Sequence, residues 1–245
     1  MQAPSGKIAV LAGSTGLTGG HLLEQLLDAP DFTRVYALSR RPLGREHFRL
    51  ANRIVQFDRL ESQLKGLACH TAFCCLGTSL RAAGSEQACR RVRVGYVLAF
   101  ARAAKAAQAE RFVLLSCAGA DPGARDAGLK MASEAERALE ALAFPALDIL
   151  QPGWLLGLRR ETQLLDLLRG ASAVAASPFL VGAREPQRAI PARTVAAAML
   201  GAARSGRRGT YRYTYAGIRG LAEAKPAPRA AVQAPTTSRA RPPPP

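Results

Sequence analysis

Lys7-Ile8-Ala9-Val10-Leu11-Ala12-Gly13-Ser14-Thr15-Gly16-Leu17-Thr18-Gly19-Gly20-His21-Leu22-Leu23 decides the fold. Lys7–Ala12 is apolar and β-branched, the pattern of a buried strand. Glycines then recur at Gly13, Gly16 and Gly19, and an apolar pattern of helical period opens at His21–Leu27. Glycine permits the tight turn and lets the backbone N–H groups of Ser14, Thr15, Leu17 and Thr18 approach an anion. The N-terminus of the following helix adds partial positive charge. Alone, a glycine-rich turn is weak evidence, and a plain strand-to-helix turn is the alternative. With a strand before it and a helix after it, G-x-x-G-x-x-G reads as a variant of the dinucleotide-binding fingerprint.

Further along, short apolar segments alternate with longer amphipathic ones. Arg34–Ser39, Arg53–Phe57, Thr71–Leu76, Arg111–Ser116 and Ala146–Leu150 read as strands, and Val94–Ala107 and Ala132–Leu142 as helices. This alternation predicts an α/β fold: a doubly wound parallel sheet of Rossmann type, covered on both faces. After Gly157 the pattern weakens. Helices are expected at Glu161–Arg169 and Arg193–Ala203 and a late strand at Thr210–Tyr215, together forming a small substrate-side lobe. Residues 1–220 are expected to be one domain. The Pro-, Ala- and Arg-rich stretch 221–245 lacks an apolar pattern and is expected to be a disordered tail.

Composition narrows the class. The chain has 245 residues, 48% of them hydrophobic, enough for one sizeable core. No run of 18 or more apolar residues marks a membrane span. The run Ile8–Ala12 is too short for a signal peptide, and a cytoplasmic location is expected. The five cysteines are Cys69, Cys74, Cys75, Cys89 and Cys117. Their odd number and the adjacent pair suit buried free thiols better than disulfides or a metal site. The net charge of +16 is mostly arginine scattered along the chain. Without a basic block interleaved with aromatics, it predicts weak, salt-sensitive anion binding rather than specific nucleic-acid recognition.

The nucleotide type is read at the end of the second strand. NAD binders place an acid there on the ribose hydroxyls, about 20 residues past the fingerprint. Here the segment is Ser39-Arg40-Arg41. Two guanidiniums suit the 2′-phosphate of NADP(H), and NAD(H) is the less favoured cofactor.

Phe73-Cys74-Cys75-Leu76-Gly77-Thr78, Ala83-Gly84-Ser85, Tyr96-Val97-Leu98 and Leu114-Leu115-Ser116 with Gly119-Ala120-Asp121 resemble the Tat-interacting-protein-like oxidoreductases. These are atypical short-chain dehydrogenases related to the NAD(P)H-binding NmrA-like proteins. Pro152-Gly153 and Ile190-Pro191 extend the resemblance. It implies NADPH binding at Gly13, Gly16 and Gly19 and at Arg40 and Arg41. It also implies that Leu76, Gly77 and Thr78 pass the adenine ribose, that Pro152 and Gly153 lie at the cofactor edge, and that Ser116 stands beside the nicotinamide.

The departures from the family are equally specific. The family carries Tyr-x-x-x-Lys on the helix after strand five, a proton donor and the lysine that tunes it. An ungapped alignment puts Gly128 and Ala132 there. Lys130 is nearby but projects from a different helix face. Gln56 replaces an acid, Gln151 an arginine, and Cys117 follows Ser116 where a second serine is expected. Losing the proton donor should remove about 10²–10⁴-fold of acid catalysis. Cys117 as a nucleophile or proton donor is a minor alternative, since His21, His47 and His70 lie on other elements. Tyr96 and Trp154 read as packing aromatics, and Glu134, Glu136 and Glu140 as a solvated helix face.

Three functions compete. One is an NADP-dependent oxidoreductase with weak or absent acid catalysis. Another is a non-catalytic NADPH sensor acting through a protein partner. The third is a basic surface-binding protein that uses the core as scaffold. The small-molecule substrate is not readable from the sequence, and no metal site is expected.

Overall fold

The computed structural model describes residues 6–157 and 182–224. In chain order the elements are β1 (Lys7–Ala12), α1 (Leu17–Asp28), β2 (Phe32–Ser39), β3 (Leu50–Ile54), α2 (Leu60–Gln63), β4 (Thr71–Cys74), α3 (Leu80–Ala83), α4 (Glu86–Arg90) and α5 (Val97–Ala106). They continue with β5 (Arg111–Leu115), α6 (Ala127–Ala141), β6 (Ala146–Leu150), β7 (Leu155–Leu156), β8 (Ile190–Pro191), α7 (Ala192–Arg204), β9 (Gly209–Tyr213) and α8 (Tyr215–Glu223). Seven strands form one sheet in the order β3-β2-β1-β4-β5-β6-β9, with every neighbouring pair parallel. This is the doubly wound Rossmann arrangement. Its strand order reverses between β1 and β4, where such sheets open a crevice at their carboxyl ends.

Side chains alternate between two cores, as the period of a strand requires. Leu11, Ala37, Phe73 and Val113 face α1, α7 and α8; Val10, Leu38, Ala72, Phe112 and Ile149 face α2, α5 and α6. Every residue of β4 and of β6 is buried, including Asp148 in the middle of the otherwise apolar β6. On α7 the buried stripe includes Val195, Ala196, Met199, Ala202 and Ala203. Gly201 lets α8 approach closely: a Cβ there would stand 2.2 Å from the Leu221 carbonyl oxygen.

Several boundaries differ from those expected. The edge strand β3 covers Leu50–Ile54 rather than Arg53–Phe57; Phe57 instead turns inward in a short 3₁₀ helix and packs on Tyr96, ring centroids 5.4 Å apart. Residues Arg91–Tyr96 form a π-helical turn ahead of α5. The helix expected at Ala132 begins at Ala127, because Asp126 Oδ1 accepts the Leu129 N–H at 2.9 Å and caps it. The late strand ends at Tyr213, and Tyr215 starts α8, which runs on to Glu223 with Leu221 buried against α7. Thus α7, β9 and α8 complete the main layers, whereas β7 and β8 pair separately. The helix expected at Glu161–Arg169 and the tail beyond Ala224 lie outside the described residues.

A buried ion pair ties the far side of the sheet together. Asp148, fully buried on β6, accepts from Arg111 on β5 and from the Tyr213 hydroxyl at 2.9 Å on β9. Arg111 also donates to the Arg207 carbonyl. On the opposite edge Arg204 holds Asp31 with two hydrogen bonds, of 3.1 and 2.5 Å.

Asp148→Ala would leave Arg111 as an uncompensated buried cation, and should lower stability by about 3–5 kcal/mol in urea denaturation. Burial works to raise the Asp31 carboxyl, but the hydrogen bonds and charge of Arg204 outweigh it, and its pKa lies below the ordinary aspartate value. The pair therefore stabilises the fold above the ordinary value, and its contribution is lost as pH falls through the depressed one. Asp31→Asn should flatten the acid limb of the stability–pH profile and lower neutral-pH stability by about 1 kcal/mol.

Candidate functional site

The glycine turn lies where β1 meets β4. Gly13 has φ +89°, and a Cβ there would stand 2.5 Å from the Cys75 carbonyl group. A Cβ on Gly19 would stand 2.1 Å from the Gly13 carbonyl oxygen. The Gly16 N–H donates to Gly13 O at 3.1 Å and closes the turn, and Gly16 caps α1 without a side-chain partner. No acid lies in the first turn of α1. The hydroxyl oxygens Ser14 Oγ and Thr18 Oγ1 are buried with no hydrogen-bond partner among the described residues. Buried hydroxyls ordinarily find partners. Two unpartnered ones around a bare helix N-terminus fit a cofactor diphosphate, whose oxygens accept hydrogen bonds. Thr15 is exposed, and Leu17 lies against Gly157.

Opposite the turn, Leu76, Gly77 and Thr78 leave β4, and nothing approaches within 4 Å of a Cβ built on Gly77. Arg40 and Arg41 are both exposed at the carboxyl end of β2. Neither enters an ion pair among the described residues. Their loop is held by Asn52 on β3, which donates to Ala37 O at 3.1 Å and Ser39 Oγ at 2.7 Å and accepts from Leu43 N at 3.0 Å. Ser39 Oγ in turn donates to Arg41 O at 2.7 Å. Tyr96 donates its hydroxyl to Asp58 at 3.0 Å. Burial and the Asp58 carboxylate both push its pKa up, away from proton donation at neutral pH.

The carboxyl end of β5 holds the residues expected beside the nicotinamide. Ser116 donates its hydroxyl to Glu136. Gln151 donates to both Glu136 oxygens at 2.9 Å, and Arg212 reaches across from β9 at 3.4 Å. Arg212 also pairs with Glu140 at 2.6 Å. Glu136 is 3% exposed, so the expectation of a solvated acidic face is corrected for this residue. Its position on α6, between buried Ala132 and Leu139, already falls on the inward stripe. The compensating Arg212 lies 76 residues away and is invisible to local patterning. Glu134 follows the expected pattern, pairing with Arg90 at the surface.

Ala132 is buried and Lys130 exposed, so no lysine ammonium takes the family's place. At Gly128 the vacant side-chain space is met by Arg93: its Nη1 stands 2.8 Å from where a Cβ would be. Arg93 Nη2 also lies 3.8 Å from Cys117 Sγ. Burial raises the Cys117 thiol pKa and Arg93 only partly opposes it, so this thiol is no ready nucleophile. Cys69 and Cys74 are buried, both pushed up to about 12, and all five cysteines are free. Pro152 is buried, its carbonyl accepting from Ala118 N at 2.8 Å. Gly153 packs on the Gln187–Arg188 backbone, and Trp154 is exposed. Among the described residues no helix is long and apolar enough to cross a membrane.

No protein-family model matches the chain. It is 35% identical over 161 residues to the rat protein HTATIP2, covering 64% of this chain and 66% of that protein. To the mitochondrial protein FMP52 of Saccharomyces cerevisiae it is 37% identical over 157 residues, covering 63% of this chain and 68% of FMP52. The aligned region thus spans about two thirds of each relative. Among solved structures, MoeE5 in complex with UDP-glucuronic acid and NAD superposes with TM-score 0.64 at 19% identity, covering 83% of this chain and 74% of that one. WbmH of Bordetella bronchiseptica in complex with NAD+ gives 0.63 at 16% identity, covering 85% and 76%. At these identities the structures share the fold.

Glu136→Ala should lower stability by about 2–3 kcal/mol, since Ser116, Gln151 and Arg212 lose their common acceptor. Glu136→Gln keeps hydrogen-bonding capacity and should lose about half as much. Urea midpoints of the two variants measure the difference.

Proposed function

The chain belongs to the family of HTATIP2 and FMP52, atypical short-chain-dehydrogenase-like proteins of NAD(P)-binding fold, and on that premise we propose that it binds NADP(H) in preference to NAD(H) with little or no redox turnover of its own. The binding half of this reading is supported by the glycine cradle, the unpartnered Ser14 and Thr18 hydroxyls, and the exposed Arg40 and Arg41. Gly13–Gly19 would hold the diphosphate, Arg40 and Arg41 the 2′-phosphate, and Leu76–Thr78 would pass the adenine ribose.

The observation that carries the catalytic half is the constellation at Ser116. Bound NADPH supplies a hydride. Reduction of a carbonyl then also needs a proton, delivered from a group within hydrogen-bond reach. Ser116 is committed to Glu136, position 128 has no side chain, and Arg93 is a guanidinium that does not release its proton. This favours a protein that reports NADP(H) occupancy to a protein partner. A weak oxidoreductase, using water as its acid, is the second reading. A cytoplasmic location remains part of the proposal; the yeast relative is named a mitochondrial protein, and cell fractionation separates the two.

Calorimetric titration should give tighter binding of NADPH than of NADH. Arg40→Ala/Arg41→Ala should weaken NADPH binding about 10–100-fold, the loss of charge-assisted hydrogen bonds, with little change for NADH. Equal affinities for the two cofactors in the unaltered chain would overturn the NADP assignment. NADPH oxidation with a panel of aldehydes and ketones should be slow. Brisk turnover lost in Ser116→Ala would instead establish the oxidoreductase reading.

A further inference from the structure

We propose that Arg93 anchors a monoanionic carboxylate, making this end of the sheet a subsite for a small carboxylic acid. Arg93 sits on the π-helical turn Arg91–Tyr96, a local widening of the helix of a kind often found at functional sites. Its side chain is half-buried and crosses toward the carboxyl end of β5. There its one hydrogen-bond contact among the described residues is the weak acceptor Cys117 Sγ, at 3.8 Å. It enters no ion pair among the described residues, unlike Arg90 three residues earlier, which pairs with Glu134. A half-buried guanidinium carries five N–H donors in a planar fork, and a carboxylate matches that fork in two parallel hydrogen bonds.

The surroundings select the ligand's charge. Glu136 approaches from α6 but is neutralised by Arg212. Asp126 flanks the same space, its Oδ1 2.9 Å from a Cβ built on Gly128. That oxygen is engaged in capping α6 through Leu129 N. The Asp126 carboxylate beside Arg93 repels a phosphate dianion more than a monoanion, and so favours the single charge of a carboxylate. The guanidinium takes this position because residue 128 is glycine; a Cβ there would stand 2.8 Å from Arg93 Nη1.

Only one part of this depends on the cofactor reading of the same crevice, namely that the anchored acid is what the bound dinucleotide faces. Oxamate, a redox-inert monoanion, and its neutral analogue oxamide are titrated into the full chain by calorimetry, with and without saturating NADPH. Oxamate should bind in the millimolar range or tighter, and oxamide at least tenfold more weakly. Arg93→Gln should reduce oxamate affinity about 10–100-fold while leaving NADPH affinity unchanged. Arg93→Lys, which keeps the charge but not the fork, should recover part of it. Gly128→Val crowds the Arg93 guanidinium, which must shift from its present position, and should reduce oxamate binding similarly. Unchanged oxamate binding in Arg93→Gln, equal binding of oxamate and oxamide, or no oxamate binding at tens of millimolar under either condition overturns the proposal. Loss of NADPH binding with oxamate discrimination intact would instead overturn the cofactor reading and leave the carboxylate subsite standing.

Discussion

The Gly13 carbonyl oxygen lies so close to Gly19 that the backbone itself fills the space a side chain would need. Gly13 is pressed in the same way against the carbonyl group of Cys75 at the end of β4. These two approaches bring the β1 turn, the start of α1 and the exit of β4 together at the point where the strand order reverses. Any non-glycine residue at either position would push α1 away from the sheet. The Leu22–Leu27 stripe that packs beneath the helix would be displaced with it. Beside this close approach, Ser14 and Thr18 have no hydrogen-bond partner among the described residues, and the first turn of α1 carries no acid. Packing demand and anion-binding capacity are therefore one feature of the backbone.

Further along the same carboxyl edge of the sheet, beyond β5, the organising element is a charge rather than a turn. Glu136 draws together β5 through Ser116, β6 through Gln151 and β9 through Arg212. A carboxylate this buried persists only when its lone pairs are occupied and its charge is offset. Both conditions are met by Ser116, Gln151 and Arg212. The stability of this corner thus holds the Ser116 hydroxyl as a donor to Glu136.

The fold was legible in the sequence because its signals are local: apolar runs of strand length, helical periodicity and a glycine turn in context. Boundaries shifted where a long-range partner decided them. Phe57 looks like the end of a strand but is drawn inward by Tyr96, and α6 begins early because Asp126 caps it. In the candidate site, the tight glycine turn and the position of the arginine pair at the end of β2 could be read from residue type and spacing. The roles of Asn52, Arg93, Glu136 and Arg212 could not, since each depends on a partner brought near only by the folded sheet. Glu136 shows the difficulty best. Its register on the buried stripe of α6 was visible, yet an acid on such a stripe reads as solvated until its remote cation is known.

Gly128 and Arg93 are best understood as a single change. A glycine at 128 alone would leave an unfilled space on the first turn of α6, beside Cys117. An arginine at 93 alone would meet any larger residue at 128, because its guanidinium already lies 2.8 Å from the Cβ position. Each accommodates the other, and together they place a fixed cation beside Cys117. That cation bounds what this part of the crevice can do. A phenol in this place can give up a proton, whereas a guanidinium, charged throughout the accessible pH range, can only hold a negative charge. The glycine cradle makes its own contacts, with Cys75 and between Gly13 and Gly19, so its geometry does not depend on what stands at residues 93 and 128.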